Sequence, residues 1–486
     1  MRRMCGIARI GTKQFGHGKE LLNFRSLNIG NRRRFRPVDM RKEFKMRLFR
    51  KKLAIRPPEA PMRHARGNFA PAQSFRAFAL IAAAGAVLFM TGVKPSQANT
   101  STAKPAKPAG KTDAGFRAYL ESIWPHAQAA GVTRATFDAS LGNVAFDKSV
   151  IKPMAAQAEF VKPIWSYING AVTTQRIEKG REMARAYQSV LADIEARYGV
   201  DRYAVLAVWG METSYGSFTG KNSTLKALAS LAYAGNREEF FRTELIGALM
   251  IIQQGHARPE TLTGSWAGAM GQTQFMPTSF LKYAVDYDRD GRKDIWSNIP
   301  DALASTANYL ASFGWVRGQP YGFEVILPEG FDISGHDPLE FKPFSYWASK
   351  GLRRPSGAAM PGSGTATIIL PGGRSGPAFL LTQNFRVIKE YNRSNAYAFG
   401  VGHLGERIAG AGPIAGAWPT SEKPLSTAQA MELQRNLQRL GHNVGKIDGK
   451  FGDQVTAAIR AYQKKAGLVA DGYPNHMVLQ QVRNAR

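Results

Sequence analysis

Cysteine is nearly absent from this chain. Among 486 residues there is one, Cys5, inside an N-terminal stretch expected to be lost. A disulfide framework and a thiolate metal site are therefore excluded from the remainder. No cysteine follows the apolar N-terminal run, which argues against a lipid anchor on that residue. Acidic side chains are also scarce, 36 against 65 Lys and Arg. Histidine is sparse, and His256 and His403 show no ligand spacing and are read as structural. The longest apolar run, 77–93 (AFALIAAAGAVLFMTGV), sits at the lower edge of what spans a bilayer.

The positive charge is unevenly placed. Residues 1–98 hold 22 Lys/Arg and 4 Asp/Glu, and the remainder holds 43 and 32. A pI of 10.2 would by itself suggest nucleic acid, but most of the excess lies in the segment expected to be removed, so nucleic acid is not expected as a partner. The 77–93 run follows Arg63, Arg66 and Arg76 and ends at Ser96-Gln97-Ala98, a small-x-small cleavage pattern. This is the layout of a secretory signal peptide. The expected compartment is the periplasm, with the membrane touched only transiently through that peptide; an uncleaved inner-membrane anchor is the alternative. Residues 1–61 are basic, irregular and long for such a signal, and Met62 is the more ordinary start. The residual positive charge suits an acidic polymer; cell-wall glycan with its peptide carboxylates qualifies and so does nucleic acid, and charge alone does not choose between them.

From Phe116 to Gly314 apolar residues recur at three- and four-residue steps, and glycine ends several runs, which predicts helices. Tyr321 to Leu381 is rich in Gly and Pro with short runs FEVIL and TATIIL, a small β-containing subdomain. Thr382 to Ile408 is helical again. Leu425 to Arg486 carries a stripe at Ala430, Leu433, Leu437 and Leu440, a stop at Gly441, and a second stripe at Val455, Ile459 and Tyr462. The expected class is mainly α with a small β subdomain. The expected division is an N-terminal extension and signal over 1–98, a linker over 99–112, a catalytic region over 113–408 with its β part at about 321–381, a linker over 409–424, and a C-terminal module over 425–486.

Four clusters carry chemistry. Glu212 ends the apolar helical run YAVLAVW within GMETSYG. Burial there would raise its pKa and let it hold a proton near neutrality, as a general acid requires. The hydroxyls of Thr213, Ser214 and Tyr215 are expected to crowd it, with Gly210 and Gly216 allowing close approach. The second cluster, SWAGAMGQTQFMP from Ser265 to Pro277, mixes amides, small residues and an aromatic; it suits a glycan groove, or equally a tight loop between helices. The third, DYDRDGRKD from Asp286 to Asp294, alternates Asp with Gly at the sixth place, like the start of a calcium loop, but places Ser297 where a bidentate Glu is usual. The fourth is LTQNF from Leu381 with YNRSNAY from Tyr391; its Tyr and Asn could line a sugar site or only cap and pack.

Together WGMETSYG, SWAGAMGQTQFMPTSF, DYDRDGRKDIW, ANYL and LTQNFRVIKEYNRS resemble the lytic murein transglycosylase B family over roughly Phe116 to Ile408. The resemblance implies a lysozyme-like helical catalytic domain that cuts the β-1,4 bond between N-acetylmuramic acid and N-acetylglucosamine without water, leaving 1,6-anhydromuramic ends. It places the catalytic acid, and later base, on Glu212. It places saccharide contacts on Ser265, Gln274, Tyr309, Tyr391, Asn392 and Tyr397, with Tyr167 a looser match. It places calcium ligands on Asp286, Asp288, Asp290, Arg292 through its carbonyl, and Asp301. Between Trp296 and Asp301 this chain is one residue longer than the family pattern. No cofactor serves the chemistry; calcium would be structural. The segment LQRNLQRLGHNVGKIDGKFGDQVTAAIRAYQKKAGLVADG resembles a three-helix peptidoglycan-binding domain, making peptidoglycan the expected partner; no protein partner is indicated. Two other readings stay open: a hydrolytic muramidase, which would use paired carboxylates and water, and a non-catalytic wall-binding scaffold.

Overall fold

Helix ends in this chain are set by side-chain caps and by glycines in the left-handed region. Asp201 caps the helix that carries Glu212, its carboxylate accepting the amides of Tyr203 and Ala204 at 2.8 and 3.0 Å, and Gly199 at φ 71° terminates the helix before it. Ser394 caps the helix beginning at Asn395, and Ser426 with Gln429 forms a reciprocal capping box farther on. The computed structural model describes residues 113–151, 162–235 and 237–485. All belong to one compact unit, Ala103–Arg486. The expectations for Cys5, the signal peptide and the 99–112 linker lie outside the described residues.

The order is α1 (Asp113–Ala129), α2 (Arg134–Leu141), α3 (Ile164–Ala171), α4 (Thr174–Ala186), α5 (Gln188–Tyr198), α6 (Arg202–Thr213), β1 (Asn222–Ser223), α7 (Thr224–Ala234), α8 (Glu238–Gln253), β2 (Thr263–Gly264), α9 (Pro277–Tyr283) and α10 (Ile299–Ser312). Then come β3 (Gly322–Val325), β4 (Lys342–Pro343), α11 (Phe344–Ser349), β5 (Thr365–Ile369), β6 (Ala378–Leu381), α12 (Gln383–Tyr391) and α13 (Asn395–Ala409), and finally α14 (Thr427–Arg439), α15 (Asp453–Lys465) and α16 (His476–Asn484). Among the described residues no helix is long and apolar enough to cross a membrane.

The main core forms around α6. Five consecutive side chains, Val205 to Trp209, are buried, so this helix is apolar on every side and must be wrapped. Its chief neighbour is α13, which also packs on α3. Gly400 makes that approach possible: a Cβ there would meet the Met211 methyl at 3.0 Å and the Tyr167 ring at 3.2 Å. The β part is a four-stranded antiparallel sheet in the order β3-β6-β5-β4, with Leu380 paired to Phe323 on one side and Ile368 on the other. It has its own small core, including Phe344, Trp347 and Leu352.

Residues 409–424, expected to be a linker, lie against this assembly. Trp418 packs on Trp165 with centroids 5.8 Å apart, and the amides of Ala415 and Gly416 donate to the Glu324 carboxylate at 2.7 and 2.6 Å. Proline and glycine give the segment a linker's composition, while its one tryptophan and two amides tie it down. In the C-terminal module the predicted stripes meet: Leu433, Leu437, Val455, Ile459 and Tyr462 bury one another with Val478 and Val482 from α16.

Candidate active site

Glu212 lies one residue from the end of α6, where the backbone leaves the helix through two consecutive left-handed residues, Ser214 at φ 51° and Tyr215 at φ 58°. Such a pair is uncommon for residues with a Cβ and persists only when the surroundings fix it. The fixing contacts are visible. Tyr215 folds back over Gly210, where a Cβ would come within 2.6 Å of the ring, and its hydroxyl donates to the Arg176 carbonyl at 3.0 Å. Arg176 in turn donates to the Ser214 hydroxyl at 3.2 Å. Thr213 donates to the Gln272 carbonyl at 2.6 Å and accepts the Gly216 amide at 2.9 Å. The three hydroxyls expected to crowd Glu212 thus hold the turn, and Gly210 and Gly216 admit protein side chains, a tyrosine ring and the Gln272 amide.

Glu212 keeps a partly accessible face, yet its carboxyl is largely withdrawn from water. Among the described residues one donor reaches it: the Tyr397 hydroxyl, at 2.6 Å. Burial pushes the Glu212 pKa up to about 7, and the Tyr397 bond pulls it partly back. Tyr167, Tyr391 and Tyr397 all lie close enough to feel its charge, and burial together with that charge raises each phenol above its ordinary value. Among the described residues, no other carboxylate contributes to the Glu212 shift.

The other predicted contacts fall into layers. The Tyr391 hydroxyl donates to the Thr273 carbonyl at 2.7 Å, which ties α12 to the Ser265–Pro277 loop. Tyr309 is deeper, 8% exposed, its ring 4.9 Å from that of Tyr391 and its hydroxyl on the Glu390 carbonyl. It supports Tyr391 from behind. Gln274 adopts φ 56°, with its amide nitrogen on the carbonyls of Thr219 and Gly271, both at 3.0 Å. The Ser265 hydroxyl accepts the amides of Ala267 and Ala269. Asn392 is exposed and accepts the Ser394 amide at 3.1 Å.

Sequence reasoning passed over Gln272. It is nearly buried, accepts the Trp209 indole at 2.9 Å and donates to the Trp296 carbonyl at 2.9 Å, so one amide joins α6, the glycine-rich loop and the acidic loop. Its only signal was an amide among glycines. Phe218, 75% exposed, and Trp266, 37% exposed, present apolar faces on the loops after α6 and β2; aromatic faces of this kind stack on sugars. A separate cavity of about 620 Å³, lined by Tyr203, Trp315, Tyr321 and Glu406 among others, lies at the opposite end of α6.

In the acidic loop, Asp286, Asp288 and Asp290 converge, with one oxygen of each within 4.8 Å of the others. Three carboxylates so close repel one another unless a cation intervenes, and an all-oxygen set fits a hard divalent ion such as calcium. Asp301, the remaining predicted ligand, lies behind this trio, close enough for the charges of Asp288 and Asp286 to add to the burial that raises its pKa. It is fully buried, and its two oxygens accept the amides of Tyr287 and Asp294 at 2.8 and 2.7 Å. Arg292 gives its amide to Asp290 at 2.8 Å. His256 accepts the Lys293 amide at 3.2 Å, and His403 is buried beside Glu406.

Comparison with known proteins bears on the family. Residues 115–406 match the model of the transglycosylase SLT domain, and residues 426–482 match that of a peptidoglycan binding domain. SltB3 from Pseudomonas aeruginosa, solved in complex with NAG-anhNAM-pentapeptide, is 44% identical with a TM-score of 0.72, covering 76% of this chain and 99% of that chain. A lytic transglycosylase of Escherichia coli solved in complex with calcium is 28% identical with a TM-score of 0.52, over 60% of this chain and 92% of that one. The membrane-bound lytic murein transglycosylase B of Escherichia coli is 33% identical over 246 residues, 49% of this chain, which spans only 65% of that relative's length. Because the first of these matches takes in more than half of the sequence, the chain belongs to the transglycosylase SLT domain family.

Proposed function

We propose that this protein cleaves the β-1,4 bond between N-acetylmuramic acid and N-acetylglucosamine in peptidoglycan without water, leaving 1,6-anhydromuramic ends. The observation that carries the reading is the Glu212 carboxyl, withdrawn from water at the end of α6 and held by the Tyr397 hydroxyl at 2.6 Å, with burial raising its pKa to about 7 and no other carboxylate among the described residues contributing to that shift. Glu212, protonated, gives its proton to the leaving glycosidic oxygen. The carboxylate so formed then takes the proton of the muramic 6-hydroxyl as that oxygen bonds to the anomeric carbon. A group poised near neutrality can do both. A hydrolase of the two-carboxylate kind would need a partner acid at a defined separation. The Tyr397 hydroxyl stabilises the carboxylate between the two steps.

Tyr167, Tyr391 and Asn392, with Ser265 and Gln274 on the facing loop, are the groups we assign to sugar contact, and Tyr309 is their support. The relative captured with a NAG-anhNAM-pentapeptide supports this substrate class. We assign Asp286, Asp288 and Asp290, with the Arg292 carbonyl, to a structural calcium that would hold the acidic loop and take no part in bond breaking; a related enzyme solved with calcium supports the assignment. The division into a catalytic region over 113–408 and a wall-binding module over 425–486, and export to the periplasm by a cleaved signal or an anchored N-terminus, belong to the same reading. The test is the mass of the products. Digested sacculi should yield muropeptides lighter by one water than those bearing reducing ends; reducing ends alone would favour a muramidase, and no release at all a scaffold.

A further inference from the structure

The C-terminal module is fixed to the rest of the molecule at two places. On the sheet side, the nearly buried Arg460 of α15 donates to the His336 carbonyl at 2.8 Å, and Asp471 accepts the Arg374 amide at 3.1 Å. On the cleft side, the contact is Asp453, the first residue of α15. One of its oxygens accepts Lys389 of α12 at 2.7 Å, and the other accepts the Asn395 side chain, at the start of α13, at 3.3 Å. Lys389 is only 16% exposed and Asp453 35%, so this pair is better shielded than a typical surface ion pair.

The two partners bracket a short turn. Between Lys389 and Asn395 lie Tyr391 and Asn392, both assigned to sugar contact, and two residues past Asn395 stands Tyr397, the donor to Glu212. Tyr391 pins the turn from the inside through the Thr273 carbonyl. Asp453 holds both of its ends from the outside. We propose that Asp453 is a positioning residue for the cleft: the wall-binding module, besides holding the polymer, clamps the turn that presents Tyr391 and Asn392 to the substrate and leads into Tyr397, the donor to Glu212.

A tether and a clamp differ in what they predict. A tether raises the effective concentration of a polymer and does nothing for a substrate too short to reach the module. A clamp sets cleft geometry for every substrate, and small misplacements of positioned groups are costly in rate. The inference rests on the reading of Glu212 as the acid, so the experiment must separate the two.

The probe is a soluble murein tetrasaccharide, with binding to purified sacculi measured in parallel. Asp453→Lys should lower kcat on the tetrasaccharide about five- to tenfold, leave sacculus binding unchanged, and be largely rescued when Lys389→Asp is added to restore the pair. Lys389→Met, which leaves the module's own sequence intact, should act in the same direction and carries the test should Asp453→Lys fail to fold. Wild-type rates on the tetrasaccharide for either single variant, or a loss that the reciprocal change does not recover, would overturn the clamp alone. A native protein that cleaves sacculi but not the tetrasaccharide would overturn the clamp alone, and one that releases nothing from either would overturn both readings.

Discussion

Glu212 and Glu244 are both withdrawn from water, and they are treated in opposite ways. Glu244, on α8, is 4% exposed, and its two oxygens accept the Thr278 amide at 2.9 Å and the Thr278 hydroxyl at 2.7 Å, at the start of α9. Burial raises its pKa, and those two bonds pull it back. Its carboxylate caps a helix. Among the described residues Glu212 receives one phenol and no backbone amide, and burial lifts it to about 7. Burial alone therefore does not distinguish a reactive carboxyl from a structural one. The number of donors turned toward it does, because each donor that favours the anion removes some of the tendency to hold a proton. Asp301, with a backbone amide on each oxygen, falls on the structural side.

The hardest test of this contrast exchanges each glutamate for its amide. Glu212→Gln should lower turnover of sacculi by about 10³-fold, within the span of general acid–base catalysis, while the thermal midpoint holds or rises. Glu244→Gln should do the reverse. It breaks a cap for a cost of about 1–3 kcal/mol, seen as a lower denaturation midpoint, while the folded enzyme keeps its rate within a few-fold. Should Glu244→Gln abolish turnover in a fully folded protein, the donor-count argument is wrong. Next in size is Gln272→Ala. It strands the Trp209 indole and the Trp296 carbonyl, and calorimetry should find a loss of about 2–3 kcal/mol.

The Tyr397 bond is a smaller and finer probe. On the proposed reading Glu212 enters the reaction protonated, so kcat/KM should be level at acid pH and fall as pH rises through about 7. Tyr397 donates to the carboxylate and so favours ionisation. Tyr397→Phe removes that preference, the Glu212 pKa rises, and the alkaline limb should move to higher pH, with a rate loss of about tenfold. A limb displaced toward acid would contradict the assigned bond. Stability carries the same sign. Between the ordinary 4.5 and about 7 the native protein holds a proton the unfolded chain has lost, so this group's contribution declines as pH rises across that window.

How much of this was legible beforehand follows from the separations involved. The helices of the core and the module were readable because their apolar spacing repeats every three or four residues, as in Leu433, Leu437, Val455 and Ile459. Glu212 was readable as a charge interrupting an apolar run. Its donor was not, because Tyr397 lies 185 residues away and no local pattern encodes that bond. The hydroxyls beside Glu212 in sequence misled for the complementary reason: the left-handed turn at Ser214 and Tyr215 directs them toward Arg176 and Gln272. The 409–424 segment has the composition of a linker, but composition does not reveal that Trp418 finds Trp165. Asp453 carried no signal in the sequence, and only the docking of α15 against α12 and α13 gives it partners.

The mildest prediction concerns the acidic loop, where the contrast can be sharpened by an ion instead of a mutation. Asp286, Asp288 and Asp290 are exposed or half-exposed and crowd one another, so a divalent cation should stabilise the folded state by mass action, about 2.7 kcal/mol at a hundredfold excess over its dissociation constant. Adding calcium to chelator-treated protein should raise the thermal midpoint by a few degrees, and Asp288→Asn should blunt the shift. Turnover under saturating substrate should change by less than about twofold if the ion only braces the loop. The loop does have a line to the cleft: the Trp296 carbonyl holds Gln272, which holds Trp209 on the helix of Glu212. A calcium-dependent rate that disappears in Gln272→Ala would mean that this line transmits the ion's effect, and that the division between structural and reactive carboxylates is one of degree.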